Sequence, residues 1–196
     1  MSLSETTNSP TPRPPRGHPS PMMFVSIGIG VAIAIVLIVV VSVLTGGSVS
    51  NKTPPPALVG TTLASFSESG LDVPSVSAPW RLHHPTVVVF FASWCGPCKT
   101  ELPALSKYLA THHLGQVAVL GVDTQDARAA GKNVVAKDSL NFPVMFDPQS
   151  TVAAGRFKIG ALPDTAFVTA TGVVQNMIIG PITTREFAAG IAALNA

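Results

Sequence analysis

Phe90-Phe91-Ala92-Ser93-Trp94-Cys95-Gly96-Pro97-Cys98-Lys99 decides the reading of this chain. Cys95 and Cys98 are the only cysteines among its 196 residues. Two thiols separated by two residues can close a disulfide with each other and with no other cysteine of the molecule. A lone pair of this kind is not one staple in a framework of several. It reads as a dithiol that opens and closes, which implies redox chemistry.

Thr86 to Ala92 is a continuous run of apolar, β-branched and aromatic residues ahead of the pair. Such a run suits a strand buried on both faces. Val117 to Val122 is a second run of the same kind. Between them, Cys98 to His113 carries Leu102, Leu105 and Leu109 at helical spacing. A strand, a helix and another buried strand predict a right-handed βαβ unit with parallel strands. Further on, the sequence predicts a helix over 126–137, a short strand over 144–146 and a short helix over 149–156. Thr165 to Thr169 and Val173 to Ile179 flank Ala170-Thr171-Gly172 and predict a hairpin with glycine in the left-handed position. Thr183 and Glu186 have the spacing of a capping box opening a last helix to about Asn195. Residues 57–85 carry no clear period and are expected to supply a short strand or hairpin.

Gly96-Pro97 stands where the first long helix begins, and proline suits the first helical turn. Cys95 is thereby placed at the helix N-terminus, where free amides and the positive dipole end favour an anion. A thiol whose pKa falls from about 8.5 to about 7 goes from roughly 3% to roughly 50% thiolate at pH 7, and the thiolate is the nucleophile. Cys98 lies one turn further in, less accessible, placed to attack a mixed disulfide formed on Cys95. A zinc site would need about four ligands. The remaining candidates are His83-His84, in the entry loop, and His112-His113, about 18–20 Å along the helix from the thiols. Both pairs read as surface histidines, so neither a metal nor a cofactor is expected.

The stretch from Phe90 to Lys99 resembles the strand-to-helix signature of the thioredoxin superfamily. Glu101-Leu102-Pro103 extends it to the CxxCxxExP pattern of the membrane-tethered TlpA-like/ResA-like branch. Ala161-Leu162-Pro163-Asp164-Thr165-Ala166-Phe167-Val168, followed by Gly172, resembles a second characteristic segment of that superfamily. The resemblance covers about residues 57–195. It implies an α/β thioredoxin-like fold, a central mixed sheet flanked by helices, with a cis Leu162–Pro163 bond facing Cys95. Thioredoxins carry a buried Asp six residues before the first cysteine, and here that position is Val89. Some ResA-like members place a Glu between the cysteines, and here the insert is Gly96-Pro97. Glu101 is the candidate substitute proton acceptor, against a reading as a solvated helix-face carboxylate; Asp123 is the weaker candidate.

The chain ahead of residue 57 divides into three parts. Residues 1–21, with six prolines (10, 12, 14, 15, 19 and 21) and few apolar side chains, read as a disordered tail. Residues 22–44 carry no charge and only Ser26 and Ser42 as polar side chains. Such a segment spans roughly 34 Å as a helix, enough to cross a hydrocarbon core of about 30 Å. It is longer than a signal-peptide core and is expected to be an uncleaved transmembrane anchor. Arg13 and Arg16 before it, against Lys52 after it, favour a cytoplasmic N-terminus and an extracytoplasmic C-terminal domain at the cell membrane. Residues 45–56 are a Gly/Ser/Pro linker. From residue 57 on, nine Lys/Arg balance nine Asp/Glu, so charge gives no case for nucleic acid.

These readings converge on a membrane-anchored thiol–disulfide oxidoreductase in which Cys95 attacks and Cys98 resolves. The Gly-Pro insert leans toward a reductase. The expected partners are exported proteins with disulfides or dithiols and a membrane electron donor that re-reduces the pair. Cytochrome c maturation is the best-known use within the branch. The alternatives are an oxidase donating disulfides to exported proteins, and a Cu(I)-handling protein of the same fold, against which the two-residue spacing argues.

Overall fold

The computed structural model describes residues 57–196, and the expected tail, anchor and linker lie outside these residues. Seven strands and three α-helices follow in order. They are β1 (Ser67–Glu68), β2 (Val76–Ser77), β3 (Thr86–Phe91), α1 (Cys98–Thr111), β4 (Ala118–Thr124), α2 (Arg128–Lys137), β5 (Val144–Asp147), β6 (Asp164–Val168), β7 (Val174–Ile179) and α3 (Thr184–Leu194). A 3-10 turn (Pro79–Leu82) precedes β3, and a π-helix (Thr151–Arg156) precedes β6. Five strands form one sheet in the order β5-β4-β3-β6-β7. β3 runs parallel to β4, and β4 to β5, while β6 and β7 run antiparallel to their neighbours. The sheet is mixed, as the fold class requires.

β3 is central, and its six residues are all buried. Its alternate side chains enter two cores. Val88 and Phe90 join Leu120, Val122, Trp80 and Phe157 on one face. Val87, Val89 and Phe91 meet Leu102, Leu105, Phe187 and Ile191 of α1 and α3 on the other. Side-chain alternation with both faces covered accounts for the unbroken apolar run. Leu102 and Leu105 are 1% and 3% exposed, so the helical spacing in the sequence marked the face that α1 buries.

Several local expectations move by a residue or two. The second helix starts at Arg128 rather than at 126, because Asp126 is engaged with Ser93. The element over 149–156 is a π-helix from Thr151, opened by Ser150 in the left-handed region, φ 57°. Its wider turn leaves amides that the Asp147 carboxylate takes up, from Val152 at 3.1 Å and Ala153 at 2.8 Å. The undecided stretch holds the two-residue ladder of β1 with β2 and the 3-10 turn that seats Trp80. The β6–β7 turn has Gly172 at φ 84°, and the Thr183–Glu186 capping box is present in both directions.

α3 lies so close to β6 that a Cβ at Gly190 would overlap the Phe167 ring. Glycine inside a helix ordinarily costs about 1 kcal/mol relative to alanine. Here the sign should invert: Gly190→Ala is expected to destabilise the domain by about 1–3 kcal/mol, as overpacking does. A raised denaturant midpoint for the variant would contradict the close packing.

Candidate active site

β3 ends at Phe91, and the chain turns through Ala92-Ser93-Trp94 into the cysteine pair. Two contacts with the end of β4 hold this turn. The Asp126 carboxylate accepts hydrogen bonds from the Ser93 amide at 2.5 Å and the Ser93 hydroxyl at 2.8 Å. The Trp94 indole N–H donates to the Gln125 carbonyl at 2.9 Å. The Trp94 ring is otherwise 55% exposed, a large aromatic surface beside the pair.

Cys95 and Cys98 form a disulfide, with Cα atoms 5.3 Å apart. α1 begins at Cys98, and the Cys98 amide donates to the Cys95 Sγ at 3.2 Å. The first sulfur thus receives a backbone N–H from the head of a helix, the arrangement that favours its thiolate once the pair is reduced. The expected contrast in accessibility is smaller than the sequence suggested, since Cys95 is 3% and Cys98 1% exposed. Both pack in the core between the sheet and α1.

Glu101 follows one turn after Cys98 and is buried, which overturns its reading as a solvated carboxylate. The helix face that carries Leu102 and Leu105 also turns Glu101 toward the β7–α3 connection. There Oε2 accepts the Ile182 amide at 2.8 Å, while Oε1 has no partner. Burial pushes its pKa up from 4.5 to about 7, with the nearby Asp164 adding to the rise and the Ile182 amide opposing it. Asp164 itself is raised by burial, against the Gly180 amide that it accepts at 2.8 Å. The Leu162–Pro163 bond is cis and immediately precedes Asp164. In register Asp164 pairs with Phe90, so the Leu162–Pro163 bond lies at the same sheet edge as the turn into Cys95.

Val89, where a thioredoxin would have its acid, is fully buried among apolar side chains. Asp123 is also fully buried, on β4 in register with Phe91, and its pKa is raised to about 8, first by burial and then by Asp126. The sequence missed the roles of Ser93, Gln125 and Asp126 because each acts through a backbone or loop contact with no spacing signal. It also missed a cleft of about 280 Å³ lined by Trp94, Gln125, Ala153, Ile159 and Leu162. Two of the described histidines are engaged elsewhere. His112 stacks on Tyr108 at the far end of α1, with ring centroids 4.0 Å apart, and His83 closes the 3-10 turn. Among the described residues no cluster of metal-ligating side chains occurs.

Residues 59–177 match the AhpC/TSA family, and the chain belongs to that family. The chain is 30% identical over 97 residues to a thiol-disulfide oxidoreductase ResA of Bacillus cereus, covering 50% of this chain and 56% of that protein. It is 31% identical over 100 residues to the thioredoxin-like protein YneN of Bacillus subtilis, covering 50% of this chain and 57% of the relative. The chain thus spans little more than half the length of these curated relatives. Among solved structures it resembles a secreted Mycobacterium tuberculosis disulfide oxidoreductase homologous to E. coli DsbE, with a TM-score of 0.58 and 25% identity, over 66% of this chain and 96% of that one. MTB DsbF gives a TM-score of 0.58 and 27% identity, over 66% of this chain and 94% of that one.

A raised carboxyl pKa means that the folded state binds the proton more tightly than the unfolded chain. The folded domain should therefore lose stability as pH rises from about 4.5 through about 7 on account of Glu101. Glu101→Gln is expected to flatten this part of the profile, raising stability near pH 8 by about 1–2 kcal/mol relative to the wild type. Denaturant unfolding at a series of pH values measures it; an unchanged slope would place the carboxylate in water.

Proposed function

We propose that this member of the AhpC/TSA family is a thiol–disulfide oxidoreductase that works outside the cytoplasm, held at the membrane by residues 22–44, and reduces disulfides of exported proteins. The observation that carries the reading is the buried Cys95–Cys98 pair at the head of α1, with the Cys98 amide on the Cys95 sulfur. The likeness to proteins described as thiol-disulfide oxidoreductases supports the chemistry. One structural neighbour is described as secreted, which supports the compartment. The apolar run of residues 22–44 supports the anchor. Among the described residues no helix is long and apolar enough to cross a membrane.

In the reduced enzyme the Cys95 thiolate attacks one sulfur of a substrate disulfide. The first substrate thiolate leaves and takes a proton from solvent, and a mixed disulfide remains on Cys95. Cys98 then gives up its proton and attacks the Cys95 sulfur. The Cys95–Cys98 disulfide closes, and the second substrate thiolate departs. Two electrons pass from the enzyme dithiol to the substrate, and a membrane electron donor restores the dithiol. Glu101, with a pKa about 7 and an unpartnered oxygen one turn from Cys98, is the proposed acceptor of the Cys98 proton. Pro163 has no N–H, which leaves the Leu162 backbone open to an extended substrate segment. The Trp94–Leu162 cleft offers apolar surface beside it. Haem-attachment dithiols, oxidised before cytochrome c maturation, are the substrate class we favour.

Equilibration with glutathione should give the pair a potential well below about −150 mV, toward the thioredoxin end of the family range. A value above that would make the protein a disulfide donor. Cys95→Ser is expected to abolish turnover, while Cys98→Ser accumulates mixed disulfides with its partners in cells. The reverse pattern would exchange the two roles. Glu101→Gln should slow the resolving step about tenfold or less at pH 7 while leaving the first attack unchanged, as stopped-flow kinetics would resolve.

A further inference from the structure

Asp123 is an ionisable group with no place in the mechanism above. It is 0% exposed, and neither of its carboxyl oxygens meets a hydrogen-bond donor. Its neighbours in register are Phe91 on β3 and Phe146 on β5, both apolar. From α2, Gly131 presses on it so closely that a Cβ there would overlap Oδ2. Two cations of that helix, Arg128 and Lys132, are committed elsewhere. Arg128 donates to the Gly70 and Leu71 carbonyls at 2.6 and 2.8 Å and lies over the Phe146 ring, and Lys132 pairs with Asp72 at 3.0 Å. Arg128 still exerts some attraction on the charge of Asp123, and Asp126 repels it.

Asp126 is the side chain within hydrogen-bonding reach of Asp123. It already accepts from the Ser93 amide and hydroxyl and, at 2.7 Å, from the Ala127 amide. Two carboxylates in contact, one of them fully buried, are mutually repulsive, and the buried one lacks any donor. A single proton removes both difficulties, because a carboxylic acid donates where a carboxylate cannot.

We propose that Asp123 is a positioning residue for the thiol pair. As the carboxylic acid it donates its proton to Asp126, whose carboxylate holds Ser93, so the segment entering Cys95 is fixed by a chain of hydrogen bonds that ends on a buried proton. When the pair loses that proton to solvent at alkaline pH, the chain opens at its base. A second negative charge then stands beneath the segment that carries Cys95, disfavouring its thiolate. The placement of Gly131 fits this role, since a helix glycine is unfavourable unless something needs the space, and here the acid does. Burial is the first cause that raises the Asp123 carboxyl, to about 8, and Asp126 adds to the rise.

The inference rests on the reading of Cys95 as the nucleophile but not on any disulfide substrate. Its test is the rate of iodoacetamide alkylation of Cys95 in the reduced full-length protein from pH 5 to 10. The wild type should show the thiol inflection and a second one between about pH 7 and 9, above which the rate falls about twofold or more below a single titration curve. Glu101→Gln should keep the second inflection, which assigns it away from Glu101. Asp123→Asn, whose amide still donates to Asp126 but does not ionise, should lose the second inflection and keep the low-pH rate within about twofold. Asp123→Leu, with no donor, should change the rate at every pH. A single inflection in the wild type, or an Asp123→Asn profile superimposable on it, overturns the proposal. If Asp123→Asn fails to fold, the infrared C=O stretch of a protonated acid in Glu101→Gln protein decides. The band should be present at pH 7 and lost by pH 9, and its absence at pH 7 overturns the proposal as well. Failure of the protein to reduce any disulfide would sink the proposed function and leave this result standing.

Discussion

The site hangs from the burial of β3 on both faces. Its six residues have neighbouring strands on either side and a core above and below, so the strand has almost no freedom to shift register without exposing one set of side chains. The residues immediately after it must therefore leave the sheet at one place. That place is the edge where β4 also ends and where the chain enters β6. Ser93 and Trp94 are pinned to the β4 end through Asp126 and Gln125, and the cis Leu162–Pro163 bond enters from β6. The rigidity of the apolar strand is what allows so short a polar segment to hold the thiol pair in one position.

The price of that arrangement is acid burial. Glu101, Asp123 and Asp164 all stand at or behind the same edge, and burial is the first cause of the upward shift in each. None has a cation bonded to it. Each is relieved differently: Glu101 by the Ile182 amide, Asp164 by the Gly180 amide, and Asp123 by the proposed proton to Asp126. An isolated buried carboxylate is costly, so each of these groups keeps its proton to a higher pH than an exposed carboxyl would. A region that stores protons without storing charge suits thiol exchange, where protons leave and return at every step.

The central elements were legible because their signals are local. The apolar run of β3, the leucine spacing of α1, the Thr183–Glu186 box and the cysteine spacing each specify an element with little help from the rest of the chain. The cis bond at Pro163 was legible only through family resemblance, since nothing around Leu162 in the sequence marks it. The π-helix was not legible. Its wider turn depends on Asp147, which caps it from β5, and on Ser150 in the left-handed region. Glu101 shows the limit most clearly. Helical spacing put it near Cys98, but whether it faced water depended on the Ile182 loop, 81 residues later.

The absence of an acid at Val89 follows from the same geometry. Val89 points into the core shared by Cys98, Leu102 and Phe187, and is completely enclosed. A carboxylate there would be fully desolvated, with only the Thr165 hydroxyl opposite it in register to meet it. Glu101 enters from the side of that core, where the β7–α3 connection supplies a backbone amide. On the helix the acid is half satisfied by the backbone. One oxygen is fixed by Ile182 and the other is left free. A proposed proton acceptor needs both properties: an anchor to keep it in place and a lone pair that nothing else has taken.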